Sequence, residues 1–129
     1  MVRTGMNIKP ETYKELSKHE NIVAVKEANG DVCSTIRTID LCGEDLDVYS
    51  GEDGLITPML SVGAKGVISV LSNIVPRETH DICEFFFKGK IRESAALQTK
   101  LIKLVDALYM ETNPIPVKTA QNILGTDVG

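Results

Sequence analysis

The apolar positions of this chain change period several times, and each change marks an element. Pro10 sets φ for a first helical turn, and Glu11, Tyr13 and Leu16 continue it toward His19, which predicts a helix over about 10–19. Ile22-Val23-Ala24-Val25 is instead an unbroken apolar run with β-branched members, the pattern of a strand covered on both faces of a parallel sheet, and it ends at Lys26. Beyond Asn29-Gly30, Asp31 is placed to cap a helix that carries Val32, Ile36 and Ile39 and stops at Gly43. Asp47-Val48-Tyr49-Ser50 reads as a second strand. The turn Gly51-Glu52-Asp53-Gly54 then leads into Leu55, Ile56, Met59 and Leu60 at helical spacing, with Gly63 as the stop. Gly66 to Val70 is the third strand. Pro76 suits the first turn of a helix whose apolar side is Ile82, Phe85 and Phe86, before Gly89. Leu97, Leu101, Leu104, Val105 and Leu108 predict the longest helix over 91–110 with a core-facing stripe, and Asn113-Pro114-Ile115-Pro116 precedes a short last helix to Leu124.

Helices alternating with strands in this way indicate an α/β fold with parallel strands and right-handed crossovers. No linker, repeat or low-complexity tract interrupts the 129 residues, so one domain over 1–129 is expected. A composition of 43% hydrophobic and 25% charged residues is ordinary for a globular protein, and no apolar run approaches the roughly 20 residues of a membrane span. Fourteen Lys+Arg against 18 Asp+Glu leave a formal charge of −4 and no basic stripe, which argues against a nucleic-acid partner. The N-terminus lacks the order of a secretory signal, and three widely spaced cysteines suit a reducing cytoplasm. Cys33 and Cys42 fall on one predicted helix and Cys83 on another, with no Cys-x-x-Cys pair and with His19 and His80 far apart. Buried or half-buried thiols are expected there, and no metal site.

Lys26 is the residue whose position asks for a chemical reason. It follows four apolar residues at the end of a strand expected to be buried, where desolvation disfavours an ammonium and frees an amine for attack on a carbonyl carbon. In parallel α/β folds reactive groups gather where strands end, which is also the location of Ser50-Gly51 and of the residues after Val70. On spacing alone, an ion pair of Lys26 with Glu27, Asp31 or another rim carboxylate is the more ordinary reading. The acidic pair Glu52-Asp53 is open to acid–base or metal readings, but carboxylates opening a helix commonly act as caps.

Five motifs, Arg3-Thr4-Gly5, Val23-Ala24-Val25-Lys26-Glu27-Ala28, Ser50-Gly51-Glu52-Asp53, Gly66-Val67-Ile68-Ser69-Val70 and Asn113-Pro114-Ile115-Pro116-Val117-Lys118, resemble the dihydrodipicolinate synthase family in order and spacing across nearly the whole chain. The Arg-Thr-Gly and Asn-Pro-Ile-Pro-Val-Lys pieces look more like that family than like its relative N-acetylneuraminate lyase. The resemblance implies a class I aldolase that condenses pyruvate with aspartate semialdehyde, needs no cofactor, and leads to diaminopimelate and lysine. It implies that Lys26 forms the imine with pyruvate, that Arg3 receives the semialdehyde carboxylate, and that Gly51 and the main chain at Ile68 line the pocket. Set against these roles, Arg3 is also readable as a solvated cation, Gly51 as turn geometry and Ile68 as core.

The fold implied is a partial (β/α)8 TIM barrel, about three parallel strands with flanking helices. A whole barrel takes roughly 250 residues and eight strands. The resemblance therefore places this chain as the C-terminal half, truncated at both ends, with the N-terminal half's threonine pair, proton-relaying tyrosines and lysine feedback site absent. Catalysis by the chain alone is not expected. Open sheet edges and uncovered apolar faces predict a homo-oligomer, and a catalytically silent oligomeric module is the alternative.

Overall fold

The computed structural model describes residues 5–129. The chain forms two compact units, Met1–Ile68 and Ser69–Gly129. In the first, helix α1 (Pro10–Leu16) precedes strand β1 (Ala24–Glu27), helix α2 (Val32–Cys42), strand β2 (Asp47–Ser50), helix α3 (Ile56–Ser61) and strand β3 (Gly66–Val67). The sheet order is β1-β2-β3 and both pairings are parallel, with Lys26 opposite Tyr49, Glu27 opposite Ser50 and Tyr49 opposite Gly66.

Side chains alternate across a strand, so this register sends Val25, Glu27, Val48 and Ser50 to one face and Ala24, Lys26, Asp47 and Tyr49 to the other. The helices cover only the first face. Val48, Met59 and Ala64 form one buried cluster there with Val25, Val32, Ile39 and Leu55, while Tyr13, Cys42 and Leu46 form a second with Ile22 and Val25. The expectation of a strand covered on both faces is thus corrected: Ala24 and Lys26, on the second face, are exposed. A continuous apolar run identified the strand, but coverage of its second face needs a neighbour that these residues do not provide.

Asp31 caps α2 as expected, its Oδ1 accepting from the Ser34 N–H at 2.9 Å, and Gly43 ends the helix at φ 59°. The buried stripe of α2 is shifted from the expected one. Ile36 is exposed, whereas Thr35 and Thr38 are buried, their hydroxyls donating to the carbonyls of Asp31 and Ser34 one turn back. Satisfied in this way, a threonine packs like a small β-branched hydrophobe. The third strand is two residues long rather than five, although the Ile68 N–H still donates to the Ser50 carbonyl at 2.7 Å.

In the second unit a 3-10 turn at Leu71–Asn73 leads to α4 (Pro76–Phe87), α5 (Ile91–Leu108) and α6 (Ile115–Ile123). Its core gathers Leu71, Val105, Leu108 and Val117, flanked by Leu101 and Leu104 of the predicted stripe. Ile82 is fully buried, and the buried Ser94 hydroxyl donates to its carbonyl at 2.8 Å. Among the described residues no helix is long and apolar enough to cross a membrane.

Candidate active site

The uncovered face of the sheet carries the candidate chemistry. Lys26 stands at the C-terminal end of β1, and the main-chain ladder runs one step past the strands, the Gly51 N–H donating to the Glu27 carbonyl at 2.7 Å. That step puts Gly51 on the face of Lys26 and Ala28. A Cβ built on Gly51 would lie 2.8 Å from Lys26 Cε, 2.9 Å from Lys26 Cγ and 2.7 Å from Ala28 Cβ. Gly66 stands in the same relation to Tyr49, whose ring atoms would lie 3.3 and 3.4 Å from an added Cβ. Lys26 therefore leans onto a glycine of β2's extension, and Tyr49 onto a glycine of β3.

Behind Lys26, on the helix-covered face, Glu27 organises the β1–α2 loop. Its Oε1 accepts from the Asn29 N–H at 3.1 Å, Asn29 Oδ1 accepts from the Asp31 N–H at 2.7 Å, and Asp31 caps α2. Burial raises the Glu27 carboxyl above the usual carboxylate range, opposed by the N–H groups of Asn29 and Ala28 and by the Tyr13 phenol. Tyr13 is pushed up to about 12, mainly by burial and then by the neighbouring Glu27 charge. One strand over, the buried Ser50 hydroxyl donates to the Glu52 carbonyl at 3.0 Å and accepts from the Glu52 N–H at 3.3 Å, tightening the turn after β2.

The structure brings Lys26 and Gly51 into contact and sets Ile68 at the end of the adjacent strand. Arg3 lies outside the described residues. Lys26 is exposed, not buried among apolar groups, because its side chain points away from the helices; no ion pair among the described residues involves it. Ile68, expected as core, is 49% exposed on the same open face. Glu52 precedes a 3-10 turn (Asp53–Leu55) without a capping side-chain bond, and Asp53 is 1% exposed, so the capping reading fails for Glu52. The cysteines are free, with Cys42 buried and Cys83 half-buried, but Cys33 is exposed at the start of α2, against expectation. His80, Asp81 and Glu84 on α4 place their ligand atoms within 4.8 Å of one another, yet Lys88 binds Glu84 at 2.8 Å and competes with any cation.

Sequence reading passed over Tyr49 and the Tyr13–Glu27 pair. The signal for Tyr49 was its period-two position in a strand that neighbours Lys26's own; the pair joins residues from α1 and β1 and left no local trace.

The model of the dihydrodipicolinate synthetase family matches residues 2–129. The chain belongs to that family. The 4-hydroxy-tetrahydrodipicolinate synthase of Caldicellulosiruptor saccharolyticus is 54% identical over 127 residues, covering 98% of this chain and 43% of the relative. Among solved structures, the 4-hydroxy-tetrahydrodipicolinate synthase of Methylacidiphilum fumariolicum superposes with a TM-score of 0.95 at 39% identity, covering 99% of this chain and 43% of that one. The chloride-inhibited dihydrodipicolinate synthase of Acinetobacter baumannii, solved in complex with pyruvate, gives 0.92 at 34% identity, covering 97% and 43%. The chain thus spans less than half the length of these relatives. Its three parallel strands and their helices have the fold of part of a (β/α)8 barrel, as the resemblance implied. The matches carry synthase names, which does not favour N-acetylneuraminate lyase.

Proposed function

We propose that residues 1–129 are a partial-barrel domain of a dihydrodipicolinate synthase in which Lys26 forms the Schiff base with pyruvate. The observation that carries this reading is the placement of Lys26, Gly51 and Ile68 at three adjacent strand ends on one uncovered sheet face, where barrel enzymes keep their chemistry. The Lys26 Nζ attacks the keto carbon of pyruvate and water leaves, giving a protonated imine. A proton lost from the methyl carbon gives the enamine, which bonds to the aldehyde carbon of aspartate semialdehyde while its oxygen takes up a proton. The amine of that substrate then attacks the imine carbon, closing the ring and releasing Lys26. Arg3 holds the semialdehyde carboxylate through its guanidinium fork, and Gly51 and the main chain of Ile68 line the pocket. The scheme calls on no metal or organic cofactor.

Imine formation needs one amine and one keto acid, whereas turnover needs the carboxylate clamp and proton relay that the resemblance assigns to the other half of the barrel. This chain is therefore expected to form the imine and not to complete the condensation. Borohydride reduction in the presence of pyruvate, followed by peptide mass spectrometry, should label Lys26 ahead of the exposed Lys65. Equal labelling of the two would overturn the reading and favour the silent module, which the exposure of Lys26 supports.

Self-association belongs to the same reading. The edges of β1 and β3 have no strand beyond them among the described residues, and Met110, Ile115 and Ile123 expose apolar surface in a groove along α5 and α6. Light scattering after size exclusion should report an oligomer; a well-folded monomer at low micromolar concentration would contradict it. Three free cysteines support a reducing cytoplasm as its compartment.

A further inference from the structure

We infer that Gly51 is a positioning residue for Lys26, its missing side chain forming the bay that receives the lysine stem and fixes where the amine points. This rests on the Schiff-base reading and goes beyond assigning Gly51 to the pocket lining. Gly51 is not among the glycines at positive φ, so backbone conformation does not demand glycine there. Space does. An alanine Cβ would meet Lys26 Cε at 2.8 Å, Lys26 Cγ at 2.9 Å and Ala28 Cβ at 2.7 Å, all closer than carbon atoms tolerate.

The contacts have different consequences. Ala28 Cβ is fixed to the backbone, so that clash is relieved only by moving the β1–α2 loop against β2 and acts on stability. Lys26 Cγ lies two bonds from the backbone and Cε near the tip, so those clashes are relieved by rotating the lysine side chain out of the bay, which swings Nζ away from the end of β2. Of the nearby face residues, Tyr49 leans toward Gly66 instead, leaving the space over Gly51 to Lys26. The register creates this pairing: Ala28 follows Lys26 by two residues and lies opposite Gly51, so the stem crosses diagonally onto the glycine.

The two effects separate experimentally because Ala28→Gly removes the backbone clash and leaves the Lys26 clash in place. We would compare the native chain, A28G, G51A and A28G/G51A. The readouts are the thermal midpoint, the rate of pyruvate–borohydride labelling at Lys26 relative to Lys65, and the NOE between the Gly51 Hα and the Lys26 Hγ and Hε protons in the native chain. That NOE should be present. G51A should lower both midpoint and labelling ratio. In A28G/G51A the midpoint should return to that of A28G while the ratio stays roughly three- to tenfold down, as expected for a side chain forced off its rotamer. A double variant whose Lys26 labels like that of A28G would overturn the inference with the Schiff-base reading intact. A native chain with no preference for Lys26 would remove that reading, and this inference with it.

Discussion

Replacing Tyr13 with Phe removes one hydroxyl from the rear of β1 and leaves the packed area almost unchanged. In the native chain the phenol, 7% exposed, hydrogen-bonds the Glu27 carboxylate, itself 8% exposed. A hydrogen bond to a charged group contributes about 1.5–3 kcal/mol, so Y13F should be less stable by about that amount near neutral pH. The loss has a definite pH dependence. Burial raises Glu27 in the folded state, so the contribution of this group to folding stability is greatest in acid and declines as pH climbs from the unfolded value of about 4.3 through the folded one. Without the phenol Glu27 rises further and the decline is larger, so native and variant chains converge at low pH. On the alkaline side the native chain holds the Tyr13 proton up to about 12. Unfolded Tyr releases its proton at about 10, so the native chain loses stability progressively as pH climbs from there through about 12. The variant has no such group. Urea titrations followed by circular dichroism at about pH 5, 7, 10 and 11 should therefore give a stability gap widest near neutrality and narrowing at both ends. A gap constant across that range would refute the buried pair.

Three further outcomes follow from packing and caps. Ile82→Ala, at a fully buried position on α4, should cost about 2–5 kcal/mol in urea unfolding, against little for Ile36→Ala on the exposed side of α2. Asp31→Ala should cost about 1 kcal/mol by removing the acceptor for the Ser34 N–H, and Asp31→Asn should recover most of it in the same assay. With a maleimide under native conditions, Cys33 should react first, since burial shields Cys42 and Cys83 and raises their thiols; equal rates at all three would contradict the burial pattern.

Much of the architecture was written in local patterns. The Asp31 cap, the Gly43 stop, the strand Asp47–Ser50 and the long α5 depend on residues within a few positions of one another, and each appears where the pattern puts it. Lys26 near a strand end was also legible locally, from one charge following an apolar run, although the strand is shifted to Ala24–Glu27 and runs one residue past the charge. The family was legible for a different reason, from five motifs spread over the chain.

Tertiary structure alone decided which side of each element meets solvent. An apolar run announces a strand, but whether both faces are covered depends on what packs opposite, and here helices cover only the face of Val25 and Val48. That is why Lys26 and Ile68 are exposed. Threonines at 35 and 38 displaced Ile36 from the buried side of α2 because their hydroxyls are satisfied within the helix, a compensation that hydrophobicity does not encode. Gly51 reads in sequence as a turn residue. Only the parallel register, which sets it against Lys26 and Ala28, makes it a matter of space, since atoms distant along the chain come together only when strands pair.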